Sequence, residues 1–310
     1  MKRERTHRVQ GARSGAAKVG LIMSAALSAA LLSGAAAAQT TSFTMSYKGQ
    51  GANATTCNTT DSINGQEPTA AGTYPVFVYT VGTTETFTNT AATTAVQDMA
   101  NKGFVAATIQ YDTSAFGNCT QIGGKAQCIY NPNSTSSAVS ALCGRAKADC
   151  SKGIVVSGAS QGAVIATLAK NFDSRVQAVF GIADGVKYSV FNLSSCMANG
   201  NRTLQSDRLR AVNGLNDQFT GSGQSAQQTN MQSLTGFTCP TGSATCLQSN
   251  GSGWIIVQPG QTQSGQADHC YPRQTNCNTN QNTLQQRWLT GTDNWELPAN
   301  LQWLAGFASH

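Results

Sequence analysis

The sequence predicts an α/β protein with a mostly parallel central sheet and helices on both of its faces. Short apolar runs alternate along the chain with longer stretches of helical spacing, a pattern typical of strand–helix–strand units. Some runs, such as residues 154–156, are apolar without interruption, as expected of strands buried on both sides. Turn-forming residues flank both ends of these runs, so each predicted strand is short.

The predicted elements follow one another through most of the chain. The helix over 91–102 carries Val96 and Met99 on one side, and the helix over 161–171 is also predicted to be amphipathic. The predicted strands are 42–47, 74–80, 104–111, 153–157, 176–182, 208–212 and 253–257, and the predicted helices are 91–102, 134–147, 161–171 and 281–307, the last interrupted near Pro298.

The first 38 residues have the composition of an export signal. Residues 1–18 hold six Lys and Arg and one Glu, residues 19–32 are apolar, and residues 33–38 are small. This order is typical of a secretory signal peptide, so we expect cleavage after Ala38 and a secreted or periplasmic protein. The apolar run is shorter than a membrane-spanning helix requires, and no stable membrane insertion is expected after cleavage.

Most of the positive charge lies in this leader. The chain has a net charge of +6, of which the first 38 residues contribute +5 and the remainder +1. Without a basic stripe, residues 39–310 are not expected to bind nucleic acid. Their length fits a single domain, in which residues 186–207 are a candidate small cap.

All ten cysteines follow residue 38. An even number in an exported chain predicts disulfides that hold loops in place. The spacing suggests four local pairs and one long bridge, namely 119–128, 143–150, 239–246, 270–277 and 57–196. Zinc is the alternative, but no Cys-x-x-Cys occurs and only His269 and His310 follow the leader, so we expect no metal and no other cofactor.

One short motif carries a chemical prediction. Residues 157–162 read Ser-Gly-Ala-Ser-Gln-Gly and contain the single Gly-x-Ser-x-Gly of the chain. A predicted strand enters the motif and a predicted helix leaves it, which is the context of a nucleophilic serine on a sharp turn. Ser160 is therefore the candidate nucleophile, and an ordinary glycine-rich turn is the alternative.

A serine hydroxyl needs a base to become a good nucleophile. His269 lies in the loop after the last predicted strand, whereas His310 is the terminal residue, so His269 is the candidate base. Asp217 and Asp184 both follow predicted strands and both satisfy the order Ser, Asp, His. Asp217 is preferred as the acid because its strand immediately precedes the strand before His269.

An oxyanion formed at the serine would need two backbone donors. Gln161 N–H, directly after the candidate nucleophile, is one expected donor. The second is expected from Gly82 or Thr83, in the loop after the strand at 74–80. Seven aromatic residues could line a substrate groove, although most are expected in the core: Tyr79, Phe116, Phe191, Phe219, Trp254, Tyr271 and Trp295.

With these residues in place, residues 70–310 resemble the α/β-hydrolase family. The Gly-Ala-Ser-Gln-Gly turn, a later Asp, and a His followed closely by Tyr271 are also similar to cutinases and acetylxylan esterases. The resemblance implies acyl transfer to Ser160, with Asp217 and His269 completing a triad, and then attack by water.

The resemblance favours a secreted hydrolase of carboxylic esters. Polymeric esters, such as acylated polysaccharide, cutin or polyhydroxyalkanoate, are candidate substrates. Two alternatives stay open at the level of sequence. One is an exported serine peptidase on the same scaffold, and the other is a non-catalytic binding protein of the same fold.

Overall fold

The strands form one large sheet and one small hairpin in the computed structural model, which describes residues 39–51, 56–275, 277 and 283–310. The predicted export signal, residues 1–38, lies outside the described residues. The strands are β1 Thr40–Gln50, β2 Cys57–Pro68, β3 Val76–Thr80, β4 Val105–Ile109, β5 Ile154–Ala159, β6 Val176–Ile182, β7 Lys187–Tyr188, β8 Phe191–Asn192, β9 Leu209–Gly214, β10 Thr245–Leu247 and β11 Gly253–Val257.

The order of strands in the large sheet is β1-β2-β4-β3-β5-β6-β9-β11-β10. The run from β4 to β11 is parallel, while β1, β2 and β10 pair antiparallel at the two edges. The β3, β4 and β11 side chains are buried, which explains their largely apolar sequence. This topology is the α/β-hydrolase fold, as the sequence predicts, with β5 at the centre of the sheet.

Helices cover both faces of the sheet. The helices α1 and α8 pack together on one face, whereas α2, α4, α5 and α6 form a continuous layer on the other. Among the described residues, no helix is long and apolar enough to cross a membrane. The helices are α1 Thr90–Asn101, α2 Cys119–Tyr130, α3 Ala138–Cys143, α4 Gln161–Leu168, α5 Ser194–Met197, α6 Gln224–Thr235, α7 Gln286–Thr290 and α8 Leu297–Ala305.

Helix α4 differs from the amphipathic helix expected after the serine motif. All of its residues from Gln161 to Leu168 are buried, because α2 packs over the side that faces away from the sheet. The sequence did not predict α2, whose two central glycines, Gly123 and Gly124, weaken the helical signal. The predicted interruption near Pro298 is present, since α7 ends at Thr290 and Pro298 lies in the first turn of α8.

Five disulfides join the ten cysteines, and three of them are the local pairs expected from spacing. These are Cys143–Cys150, Cys239–Cys246 and Cys270–Cys277.

The other two predicted pairs, 57–196 and 119–128, are wrong. The structure has Cys57–Cys128 and Cys119–Cys196 instead. Cys119 and Cys128 lie near opposite ends of helix α2, about 13 Å apart along its axis, which is too far for one bridge. The sequence expectation treated this segment as a loop, and the helix forces each of its ends to pair elsewhere.

The separation of the paired cysteines predicts which disulfide stabilises the protein most. Replacing Cys119 and Cys196 with serine opens a loop of 77 residues, at a cost of about 4 kcal/mol in the free energy of unfolding. The same change at Cys239 and Cys246 opens a loop of 7 residues and should cost about 2 kcal/mol. Urea unfolding of the two double variants measures the difference, and equal losses would contradict the chain-entropy explanation.

Candidate active site

Ser160 occupies the sharp turn between β5 and α4. Its φ is +53°, a left-handed conformation that a non-glycine residue adopts at a cost. A Cβ at Gly158 would lie 2.4 Å from the carbonyl oxygen of Gly162, and one at Gly162 would lie 2.2 Å from that of Thr80. Both glycines of the motif are therefore required by close backbone approach, as the sequence indicates, and Ser160 N–H is held by Ile182 O at 2.8 Å.

The acid closest to His269 is Asp217. His269 Nδ1 lies 2.7 Å from Asp217 Oδ2, so the imidazole donates its Nδ1 proton to the carboxylate and leaves Nε2 as the acceptor. The other carboxylate oxygen accepts the N–H groups of Phe219 and Thr220 at 2.9 and 3.1 Å. Because Asp217 is fully buried, these bonds hold its charge in one orientation.

Asp184, the alternative acid, is bonded elsewhere. Thr167 Oγ1 donates to its Oδ2 at 2.8 Å, and Gly185 N–H donates to its Oδ1 at 2.8 Å. Burial raises the pKa of Asp184 to about 6. This carboxyl group links β6 to α4, and the structure brings Asp217 rather than Asp184 to the histidine.

Ser160 and His269 line the same cavity, which has a volume of about 400 Å³. In the described part of the chain no hydrogen bond joins the two side chains, a common state of such pairs before substrate binds. His269 is nearly buried, with 11% of its side chain exposed, and the ring of Phe219 packs against it with centroids 4.7 Å apart. The imidazole is therefore confined in the wall of the cavity that it shares with Ser160.

The pKa of His269 lies above its usual value. Burial alone lowers the pKa, but the charge and hydrogen bond of Asp217 raise it, and the Glu85 and Asp268 carboxylates add to this increase. The combined attraction of the carboxylates for the imidazolium exceeds the cost of burying it. An imidazole in this position is a stronger base than a free histidine.

Two of the three expected oxyanion donors are free within the described residues. Gln161 N–H and Thr83 N–H donate to no acceptor in the part of the chain that the structure describes. Gly82 does not fit the expectation, because its N–H already donates to Glu85 Oε2 at 2.9 Å. The Thr83 hydroxyl oxygen is buried and has no partner in the described part of the chain, so Thr83 carries two unused donors beside the serine.

Glu85 and Arg273 form an ion pair that the sequence analysis missed. Arg273 Nη2 lies 2.5 Å from Glu85 Oε1, and Asn89 Nδ2 donates to Oε2 at 3.1 Å. The pair connects the loop after β3 to the loop that carries His269, and both side chains line the cavity. No local motif marks either residue, since the contact spans 188 positions of the chain.

The segment 186–207, a candidate cap from the sequence, contributes the β7–β8 hairpin to one wall of the cavity. The ring of Phe116 packs against Tyr188 and Phe191 there, with centroids 4.6 and 5.4 Å apart. Of the seven aromatic residues considered from the sequence, Phe116, Phe191 and Phe219 line the cavity, whereas the other four are core residues: Tyr79, Trp254, Tyr271 and Trp295.

The site presents the groups of nucleophilic catalysis. It combines a half-buried serine on a strained turn that lines a cavity, an imidazole fixed by a buried carboxylate, and backbone N–H groups that have no acceptor among the described residues. Within the described residues, no group of three or more His, Cys, Asp or Glu side chains is placed to hold a metal ion.

Comparison with known proteins finds solved structures that resemble the chain at low similarity. No family model matches it and no curated protein matches it. Brefeldin A esterase, a bacterial homologue of human hormone-sensitive lipase, is 16% identical with a TM-score of 0.36, over 51% of this chain and 42% of its own. DcsB in complex with its substrate analogue is 17% identical with a TM-score of 0.35, over 48% of each chain. Esterase Est22 is 12% identical with a TM-score of 0.34, over 46% of this chain and 44% of its own.

The chain thus spans less than half the length of each of these solved structures. The fold is established by the strand order and by the connections of the sheet itself, in which β5 leads into the serine turn at the centre.

Proposed function

We propose that this protein is an exported serine hydrolase that cleaves carboxylic esters through an acyl-enzyme. The observation that carries the proposal is the 2.7 Å bond between His269 Nδ1 and Asp217 Oδ2, made by a histidine that shares a cavity with Ser160. The positive φ of Ser160 supports the same role, since strain of this kind is maintained where it exposes a functional group.

In the proposed mechanism, Ser160 Oγ attacks the carbonyl carbon of the ester while His269 Nε2 accepts the hydroxyl proton. Asp217 remains ionised and stabilises the imidazolium. The resulting oxyanion accepts hydrogen bonds from Gln161 N–H and Thr83 N–H. His269 then donates its proton to the departing alcohol, and a water molecule, activated in the same way, releases the acid from Ser160.

Export is part of the proposal and is supported by the cysteines. All ten are joined in five disulfides, which persist in oxidising compartments outside the cytoplasm. The basic and apolar composition of residues 1–38 agrees with the same route.

Removing the proposed nucleophile should abolish ester hydrolysis. Ser160→Ala and His269→Ala are each expected to lower kcat on nitrophenyl acetate by at least about 10³-fold, and the double variant should be no worse, because the two groups act as one unit. A fluorophosphonate probe should label the parent protein and not Ser160→Ala.

Ser157→Ala is the matched control for this experiment. Ser157 lies on β5, three residues before Ser160, and its hydroxyl is buried with no partner among the described residues, so this variant should keep its activity. Labelling by the probe without turnover of any ester would favour a peptidase, and absence of labelling would favour a binding protein.

The raised pKa of His269 predicts the pH dependence. Because the protonated imidazole cannot accept a proton, kcat/KM should fall as the pH falls through a midpoint above 6.5, the ordinary value for histidine. Glu85 is one of the carboxylates that raise this pKa, so Glu85→Gln should move the midpoint to lower pH.

Glu67→Gln provides the comparison for this shift. Glu67 also pairs with an arginine, since Arg145 Nε lies 2.8 Å from its Oε2, but neither residue lines the cavity. Its removal should leave the midpoint of kcat/KM against pH in place. An unchanged midpoint in Glu85→Gln would contradict the electrostatic role of that carboxylate.

Thr83 is expected to stabilise the oxyanion with its hydroxyl as well as its N–H. Thr83→Val preserves the shape of the side chain and should lower kcat by about 10²-fold, with little change in KM. Thr83→Ser keeps the hydroxyl and should retain most of the activity. Equal values of kcat in the two variants would exclude the hydroxyl from the reaction.

A further inference from the structure

Two exposed apolar side chains stand at the mouth of the candidate site. Among the described residues, Val190 and Phe219 are the large hydrophobic side chains that remain exposed, at 87% and 43%. Both line the cavity that contains Ser160 and His269. We call this pair the apolar lip.

The apolar lip is held in place by bonds from two elements. Val190 lies in the turn of the β7–β8 hairpin, and the N–H of its neighbour Ser189 donates to Phe219 O at 2.6 Å. Phe219 N–H in turn donates to Asp217 Oδ1 at 2.9 Å. The backbone segments that carry the two side chains are thus tied to each other and to Asp217.

Local structure gives no reason for valine at this turn. Two-residue hairpin turns favour Gly, Asn and Asp, and the neighbouring Ser189 adopts a φ of +52°. The branched side chain of Val190 does not stabilise the turn, and it remains in contact with water. A contribution to binding would explain its presence, since exposed apolar groups beside a cavity commonly mark ligand sites.

The cavity wall between the apolar lip and Ser160 is apolar, and the Glu85 and Arg273 charges in the cavity form a pair. Phe116, Tyr188 and Phe191 extend the apolar lip toward Ser160 along one wall. The charged residues of the cavity, Glu85 and Arg273, neutralise each other at 2.5 Å. An apolar chain therefore fits this path better than a charged or strongly hydrated one.

We propose that the apolar lip binds an apolar chain of the ester substrate where it extends beyond the cavity. This inference rests on the proposed function and adds the substrate class to it: esters in which one half is an apolar chain of several carbons. The chain would lie along the wall from Phe191 and cover Val190 and Phe219.

The test compares chain-length profiles in Val190→Ser and Val190→Leu. Because Val190 is 87% exposed, both variants should fold as the parent protein does. Nitrophenyl esters from acetyl to octanoyl vary the acyl half, and alkyl acetates from methyl to octyl vary the alcohol half. In at least one series the parent protein should show kcat/KM rising with chain length.

Val190→Ser should lower kcat/KM for the longest substrates of that series by about threefold to tenfold, mainly through KM, and leave the acetyl or methyl member unchanged. Val190→Leu should match or exceed the parent protein. Profiles that are flat in both series, or unaffected by Val190→Ser, would overturn the apolar lip while leaving ester hydrolysis intact. Failure to hydrolyse any of the esters would overturn the proposed function and this inference together.

Discussion

The left-handed turn at Ser160 is the constraint on which the rest of the site depends. Positive φ at a non-glycine residue costs about 1–3 kcal/mol, and the packing around β5 maintains it. Gly158 and Gly162 allow α4 to approach the end of β3, and a hydrogen bond to Ile182 O ties the turn to β6. The hydroxyl is therefore presented at the carboxyl edge of the sheet, where the loops after the other parallel strands also lie.

Two carboxylates organise those loops in the same manner. Asp217 accepts N–H groups from its own loop and the imidazole of His269 from another. Glu85 accepts Gly82 N–H from its own loop and the guanidinium of Arg273, four residues beyond His269. Each carboxylate thus fixes the backbone of its own loop and connects that loop to the one that carries His269. The Cys270–Cys277 disulfide also constrains the His269 loop. The proposed base and the proposed oxyanion donors are held relative to each other by these contacts.

Prediction from sequence succeeded for features that are encoded by consecutive residues. It failed for features that depend on contacts between segments far apart in the chain. The serine motif, its strand and its helix lie within about twenty consecutive residues, so their arrangement follows from local geometry. Helix α2 was missed because its glycines and polar residues give little helical signal. In the structure, its packing against α4 and the disulfide from its own Cys128 to Cys57 stabilise it. Because helix α2 was not predicted, Cys119 and Cys128 were expected to pair with each other across a loop. The two long disulfides that these cysteines form were therefore predicted wrongly.

The sequence by itself determined the α/β class and the serine turn, because these depend on periodicity and on adjacent residues. It also singled out His269 as the candidate base, because histidine is scarce after the leader. Only the tertiary structure decided that Asp217 rather than Asp184 meets the imidazole, and which cysteines pair across long loops. It also decided that, among the described residues, the N–H of Gly82 has an acceptor and that of Thr83 has none. Each of those outcomes is a distance between groups from separate elements, and such distances arise only when the sheet and its helices are packed together.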